Sequence, residues 1–244
     1  VDVLKNVSFT AYSGEILGIA GISGCGQKEL LESIAGLQVV KDGSSIVFFP
    51  PDERAPKQLV GKNPKKIREY GISLSFVPED RLGMGLVGSM GMTENMILKN
   101  YSDGRSVFTQ KKKPRELARR LKEELDIVTP DIETPVRQLS GGNVQKVLVG
   151  REIASSPTVM MTAYAVRGLD INTSYTIYNL LDEQKRKGVA VIYVGEDLDV
   201  LIELCDRILV LCEGAVSGIV DARSTDKNEI GRLMTSFKEK GGDK

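Results

Sequence analysis

Nine consecutive residues, Gly21-Ile22-Ser23-Gly24-Cys25-Gly26-Gln27-Lys28-Glu29, lie between an apolar stretch and a helix-like pattern. Glycines at such a junction let backbone N–H groups close around phosphate oxygens, and the helix start adds partial positive charge. In a phosphate-binding loop of the form G-x-x-x-x-G-K-[ST], the lysine serves the β- and γ-phosphates and the hydroxyl serves Mg²⁺. Here Gln27 stands at the lysine position and Lys28 at the hydroxyl position. One residue along a helix turns a side chain by ~100°, so Lys28 is no direct replacement. Glu29 adds a carboxylate close to where phosphates would lie, and Cys25 is a small filler at a variable loop position. The same glycines also suit a strand-to-helix turn that holds no ligand.

A second candidate is Leu139-Ser140-Gly141-Gly142-Asn143, which opens a helix whose Val144, Val147 and Leu148 share one face. A hydroxyl, two glycine N–H groups and a positive helix end make another phosphate receptor. These residues, taken in order with the glycine loop before them and Arg167-Gly168-Leu169-Asp170 after them, resemble the ABC-transporter ATPases. That family's signature is LSGGQ, and Asn143 keeps an amide at the final position. The resemblance covers nearly the whole chain.

The resemblance implies ATP as cofactor and a head-to-tail pair of cassettes, each ATP lying between one P-loop and the other cassette's signature. It implies that Val77-Pro78-Glu79-Asp80-Arg81 is the Q-loop region, with Glu79, Asp80 and Arg81 as the permease contact and Glu79 in place of glutamine. It also exposes what is missing. Ala163 and Tyr164 occupy the Walker-B aspartate and general-base positions, Glu196 occupies the switch position, and the chain has no histidine. Alanine offers no acceptor to a metal, and a phenol with a pKa near ~10 accepts no proton at neutral pH. A carboxylate at the switch would repel a γ-phosphate. No residue is therefore assigned as a catalytic group or a metal ligand. Mg²⁺ is expected only at the partner's site, and the isolated domain is expected to hydrolyse ATP slowly or not at all. Ser140, Gly141, Gly142 and the D-loop Asp170, which would serve the partner's site, are intact.

Among the subfamilies, the pattern is most similar to the second cassette of sugar- and nucleoside-type importers. That implies an intact cassette fused upstream of Val1, transmembrane permease subunits as partners, and a peripheral position on the cytoplasmic face of the membrane. A regulatory or structural cassette protein without a permease is the alternative.

These groups need elements to position them. Strand-like and helix-like segments alternate, which predicts an α/β fold with a mainly parallel sheet. Within it, a β edge is expected at Leu4 to Tyr12, a buried strand over Glu15 to Ile22, and a helix over Gln27 to Ala35 ended by Gly36. Further core strands are expected at Thr158 to Tyr164, Val189 to Val194 and Ile208 to Leu211. A helical subdomain over 82–156, with helices at Thr93 to Tyr101, Pro114 to Leu125 and Asn143 to Ala154, is expected within a core made of 1–81 and 157–244.

Composition limits the alternatives. Thirty-three basic residues balance thirty-three acidic ones, so there is no broad basic face for nucleic acid. The run Lys111 to Lys113 with Arg115, Arg119 and Arg120 reads as a solvated helix face. Three cysteines suit a reducing compartment, and no apolar run reaches the ~20 residues of a membrane span. The tail after Phe237 is expected to fray.

Overall fold

A computed structural model of the chain describes residues 3–50, 55–70, 72–100 and 112–235. Parts of three earlier expectations, at Tyr101, Lys111 and the tail after Phe237, lie outside the described residues. The chain divides into two compact units, one of Val1–Phe76, Pro157–Ala163 and Gln184–Lys244, the other of Val77–Ser156 and Tyr164–Glu183.

The first unit is built on short apolar strands. β1 (Ile16–Gly21), β5 (Val159–Ala163), β6 (Ala190–Val194) and β7 (Arg207–Cys212) are buried almost end to end. Such uninterrupted burial is what a sheet covered on both faces requires. With β4 (Leu74–Val77) and β8 (Ala215–Asp221) they form one sheet in the order β4-β5-β6-β1-β7-β8. β1 pairs in parallel with β6 and β7, β5 pairs in parallel with β6, and β8 returns antiparallel to β7. A separate antiparallel pair joins β2 (Val47–Phe48) to β3 (Lys57–Gln58) beside α2 (Pro64–Glu69).

Helix α1 (Gln27–Ile34) leaves β1 through the glycine loop. Its end is set by Gly36, whose φ is +72°. The Leu37 N–H bonds the Glu32 carbonyl and the Gly36 N–H bonds that of Ser33, the paired bonds of a glycine-ended helix. α7 (Leu198–Leu204) packs so tightly on β1 that a Cβ on Gly18 would lie 2.7 Å from the Cys205 sulfur. Burial pushes the Cys205 thiol up, so this cysteine is an apolar filler there.

The expected edge strand at Leu4 to Tyr12 does not form. Exposure alternates from Val7 to Tyr12, yet these residues are in no strand. Asn6 takes a φ of +50°, which breaks the extended run. Side chains meet part of this segment's hydrogen-bonding need in place of a ladder. Arg207 donates to the Thr10 carbonyl, and Glu15 accepts from the Tyr12 N–H. Alternation recorded which residues face inward, and that alone does not supply a pairing strand.

The second unit holds α3 (Met92–Asn100), α4 (Lys112–Glu124), α5 (Gly141–Ala154) and most of α6 (Ile171–Arg186). Met92, Met96, Ala118, Leu121, Val144, Val147 and Leu148 are among its buried residues. Asn95, fully buried, organises the loop before α3. Its amide donates to the Val87, Met90 and Gly91 carbonyls and its oxygen accepts from the Val87 N–H. A buried side-chain amide is tolerable only when satisfied in this way. The expected subdomain 82–156 falls inside this unit, which also takes in 77–81 and 164–183.

Candidate functional site

In the glycine loop, Gly24 and Gly26 have φ values of +87° and +101°, a region that side chains with a Cβ rarely adopt. The first bond of α1 runs from the Leu30 N–H to the Gly26 carbonyl, so the N–H groups of Gln27, Lys28 and Glu29 lie outside the helical ladder. That backbone suits an anion. The side chains do not add to it. Gln27 is 2% exposed and its Nε2 donates to the Ile22 carbonyl at 3.0 Å. Its amide thus folds back into the loop, so close that a Cβ on Gly21 would lie 2.6 Å from it. Lys28 is exposed and pairs at 3.8 Å with Glu32, one turn further along α1. Glu29 is half-buried, Ser23 is exposed, and Cys25 is half-buried with its N–H bonded to the Ile22 carbonyl. Gln27 brings no cation into the loop, and the Lys28 amine stands in place of the hydroxyl that would take Mg²⁺.

The Walker-B position lies at the end of β5. Ala163 is 2% exposed and carries no acceptor, so the residues present do not fit a metal there. Tyr164 follows with a φ of +51°. An aromatic residue in that region is strained by about 1 kcal/mol or more. The Arg167 guanidinium stands 5.8 Å from the centre of its ring. Glu196, after β6, is exposed, and the neighbouring Asp197 caps α7 by accepting from the Asp199 N–H.

The signature end is organised differently. Leu139 precedes Ser140, which is the N-cap of α5 with an extended backbone. Its hydroxyl oxygen accepts from the Asn143 N–H at 3.4 Å and the Asn143 side-chain amide at 2.9 Å, while the Asn143 oxygen accepts from the Val128 N–H. Asn143 thereby braces the cap against the loop after α4. Gly142 has little room for a side chain, whereas one on Gly141 would make only an ordinary contact. A Cβ on Gly142 would lie 3.0 Å from the Thr173 hydroxyl and 3.6 Å from the Asp170 carboxylate, and one on Gly141 would lie 3.4 Å from an Arg81 nitrogen.

Asp170 caps α6, accepting from the Thr173 N–H at 2.9 Å and the Thr173 hydroxyl at 2.7 Å. Those two bonds hold its carboxyl below the usual carboxylate range. Asp170, Thr173 and Gly142 are therefore one contact cluster at the start of two helices.

The Glu79-Asp80-Arg81 segment follows β4. Asp80 caps a single wide turn, Arg81–Gly85, by accepting from the Gly83 N–H. Glu79 pairs with Arg167, and Arg81 donates to the Arg167 carbonyl. Beside this turn is a groove of about 450 Å³ lined by Leu82, Met84, Leu86, Val87, Leu98 and Arg151 among others. Leu82, Met84, Val87 and Leu98 are between 38% and 50% exposed, enough to form an apolar face.

Three contributors were not assigned from the sequence: Arg167, Thr173 and the pair Arg151 and Glu152. Arg151 donates to the Gly85 carbonyl and pairs with Glu152 at 2.9 Å, their side chains 11% and 3% exposed. Two adjacent charges shortly after the apolar run Val147-Leu148-Val149 were the available signal. Arg151→Leu would leave the Glu152 carboxylate buried with this partner lost. A loss of about 3 kcal/mol in urea unfolding is expected, and a loss under about 1 kcal/mol would show that Glu152 needs no such partner.

Comparison with known proteins places these features. Residues 4–162 match the family model described as ABC transporter. The guanosine import ATP-binding protein NupO of Bacillus subtilis is 35% identical over 98% of the chain and 46% of its own length. The glucose import ATP-binding protein TsgD13 of Haloferax volcanii is 36% identical over 100% of the chain and 43% of its own length. The chain thus spans under half the length of these two relatives. A dimeric post-hydrolysis structure of the ATP-binding cassette MJ0796, bound to ADP and Pi, superposes with a TM-score of 0.75 at 23% identity, over 91% of this chain and 92% of that one.

Proposed function

The chain belongs to the ABC transporter family and has the fold of an ATP-binding cassette, and on that premise we propose that it serves an importer of sugars or nucleosides by completing the ATP site of a second cassette. One contrast carries the reading. The Ser140-Gly141-Gly142 helix end is open and braced, whereas the chain's own glycine loop is closed on itself by Gln27.

In this reading, Ser140 and the N–H groups of Gly141 and Gly142 hold the γ-phosphate of ATP bound to the partner's P-loop. Fixed donors at a helix start need no reorganisation when charge develops, which is commonly the largest catalytic contribution. ATP supplies the phosphoryl group, and Mg²⁺ belongs with the partner's side of that site. Asp170 keeps α6 in register beside Gly142 and so fixes the face presented to the partner. The groove lined by Leu82–Gly88, Leu98 and Arg151 would receive an apolar cytoplasmic segment of the permease, with Glu79, Asp80 and Arg81 just before it in the chain as further contacts. Among the described residues no helix is long and apolar enough to cross a membrane, so anchorage at the cytoplasmic face would come from those permease subunits. The partner cassette would be fused upstream, and the guanosine and glucose import proteins among the relatives support sugar or nucleoside as cargo.

The test is complementation. An intact cassette whose own LSGG serine is replaced by arginine is mixed with this chain and assayed with Mg²⁺ and ATP. Turnover is expected to rise about tenfold or more over that cassette alone. No rise, with the two chains shown to associate, would sink the proposal.

A further inference from the structure

The Arg167 side chain and backbone are held from two sides by the segment that directly precedes the groove-lining run Leu82–Gly88. Glu79 pairs with its guanidinium at 2.5 Å, and the Arg81 guanidinium donates to its carbonyl. The same Arg81 reaches toward Gly141 at the signature helix start. Three residues beyond Arg167 comes Asp170, which is bonded to Thr173, and Thr173 in turn touches Gly142. At its far end the Arg81–Gly85 turn is tied to α5 itself, through the Arg151 bond to the Gly85 carbonyl and the close contact of Leu148 with Gly85. The turn therefore touches both sides of the signature helix start, once directly and once through Arg167.

We infer that Arg167 is a positioning residue, and that Glu79 and Arg81 use it to set where the 164–170 turn places Asp170 against the signature glycines. The pair suits a releasable contact. Its two side chains are 54% and 42% exposed, and exposed ion pairs hold weakly enough to break and reform. The path is one of contiguous contacts, from Glu79 and Arg81 to Arg167 and from Asp170 through Thr173 to Gly142. Glu79 and Arg81 together hold the turn that bears Asp170. The contact does not touch nucleotide, so it acts on the rate at which the partner's site reaches its reactive geometry.

This inference rests on the trans-site reading above, and its test separates the two. ATP turnover is measured in the assembled transporter in membranes, with the permease present. Glu79→Gln and Arg167→Ala are each expected to lower kcat about fivefold, with the KM for ATP changed less than about twofold. The exchange Glu79→Arg with Arg167→Glu is expected to recover at least half of the lost rate, an outcome that merely losing two surface charges would not give. Glu79→Gln is isosteric and exposed, so folding does not confound it. If it matches wild type while Ser140→Arg abolishes turnover, the positioning role falls and the trans-site reading stands. If Ser140→Arg is also silent, the trans-site reading itself falls. A slowed single variant that the exchange fails to rescue overturns the ion-pair mechanism.

Discussion

Replacing Ser140 by arginine is expected to cut ATP turnover of the assembled transporter by about 10²–10³-fold, although this chain's own loop carries Gln27 and Lys28 at the positions of the phosphate-binding lysine and the hydroxyl. The size follows from three losses at one point. The hydroxyl goes, the long side chain fills the space in front of the Gly141 and Gly142 N–H groups, and the helix start loses its cap. The last loss is modest, since removing an N-cap costs about 1 kcal/mol, and Asn143 still bonds the Val128 N–H. The melting temperature should therefore move only by a few degrees. Ser140→Ala, which removes the hydroxyl and leaves the N–H groups open, should cost only about tenfold. Steady-state ATPase assays on the three proteins check the order. Equal rates in all three would mean that nothing receives phosphate at this helix end.

The parts of the fold set by local rules could be read in advance. Buried strands announced themselves as unbroken apolar runs, as in Ile16–Gly21, and Gly36 marked the end of α1 because only glycine takes that φ without cost. Ser140 could be placed at a helix start because a hydroxyl before two glycines and an apolar periodicity has few other uses. What escaped depends on distant partners. Nothing in the chain order says that Gln27 turns back to the Ile22 carbonyl instead of outward. Glu79 and Arg167 are 88 positions apart, and neither carries a pattern that names the other. The failed strand at Leu4 to Tyr12 shows the same limit from another side. Facing can be inferred from alternation, but a ladder needs a neighbour, and side chains of Glu15 and Arg207 took part of that role. Arg167 stands beside its glycine and aspartate in the sequence, yet its pairing is visible only with the Glu79 carboxylate beside it.

The chain's own nucleotide site gives the second large effect. With Mg²⁺ and ATP, the isolated protein is expected to turn over far below ~1 s⁻¹. In the proposed arrangement a second copy would lend its Ser140–Gly142 end, so a shortfall would belong to the loop side. Gln27→Lys alone would free the Ile22 carbonyl and add a cation facing the phosphates. Nucleotide affinity should then rise about tenfold, through a charge-assisted contact, while hydrolysis stays undetectable. The reason is that Ala163 still offers no acceptor and the Tyr164 phenol, with a reference pKa near ~10, takes no proton from water at neutral pH. Groups that act as one unit are not restored singly. Combining Gln27→Lys with Lys28→Ser, Ala163→Asp and Tyr164→Glu should raise turnover at least about 10²-fold over the single variant. Ala163 is 2% exposed, so the new aspartate is costly without a cation beside it. The fourfold variant should therefore melt lower than wild type alone and recover when Mg²⁺ and ATP are added. Brisk hydrolysis by the unmodified chain, or by Gln27→Lys alone, would show that Ala163 and Tyr164 do not disable this site.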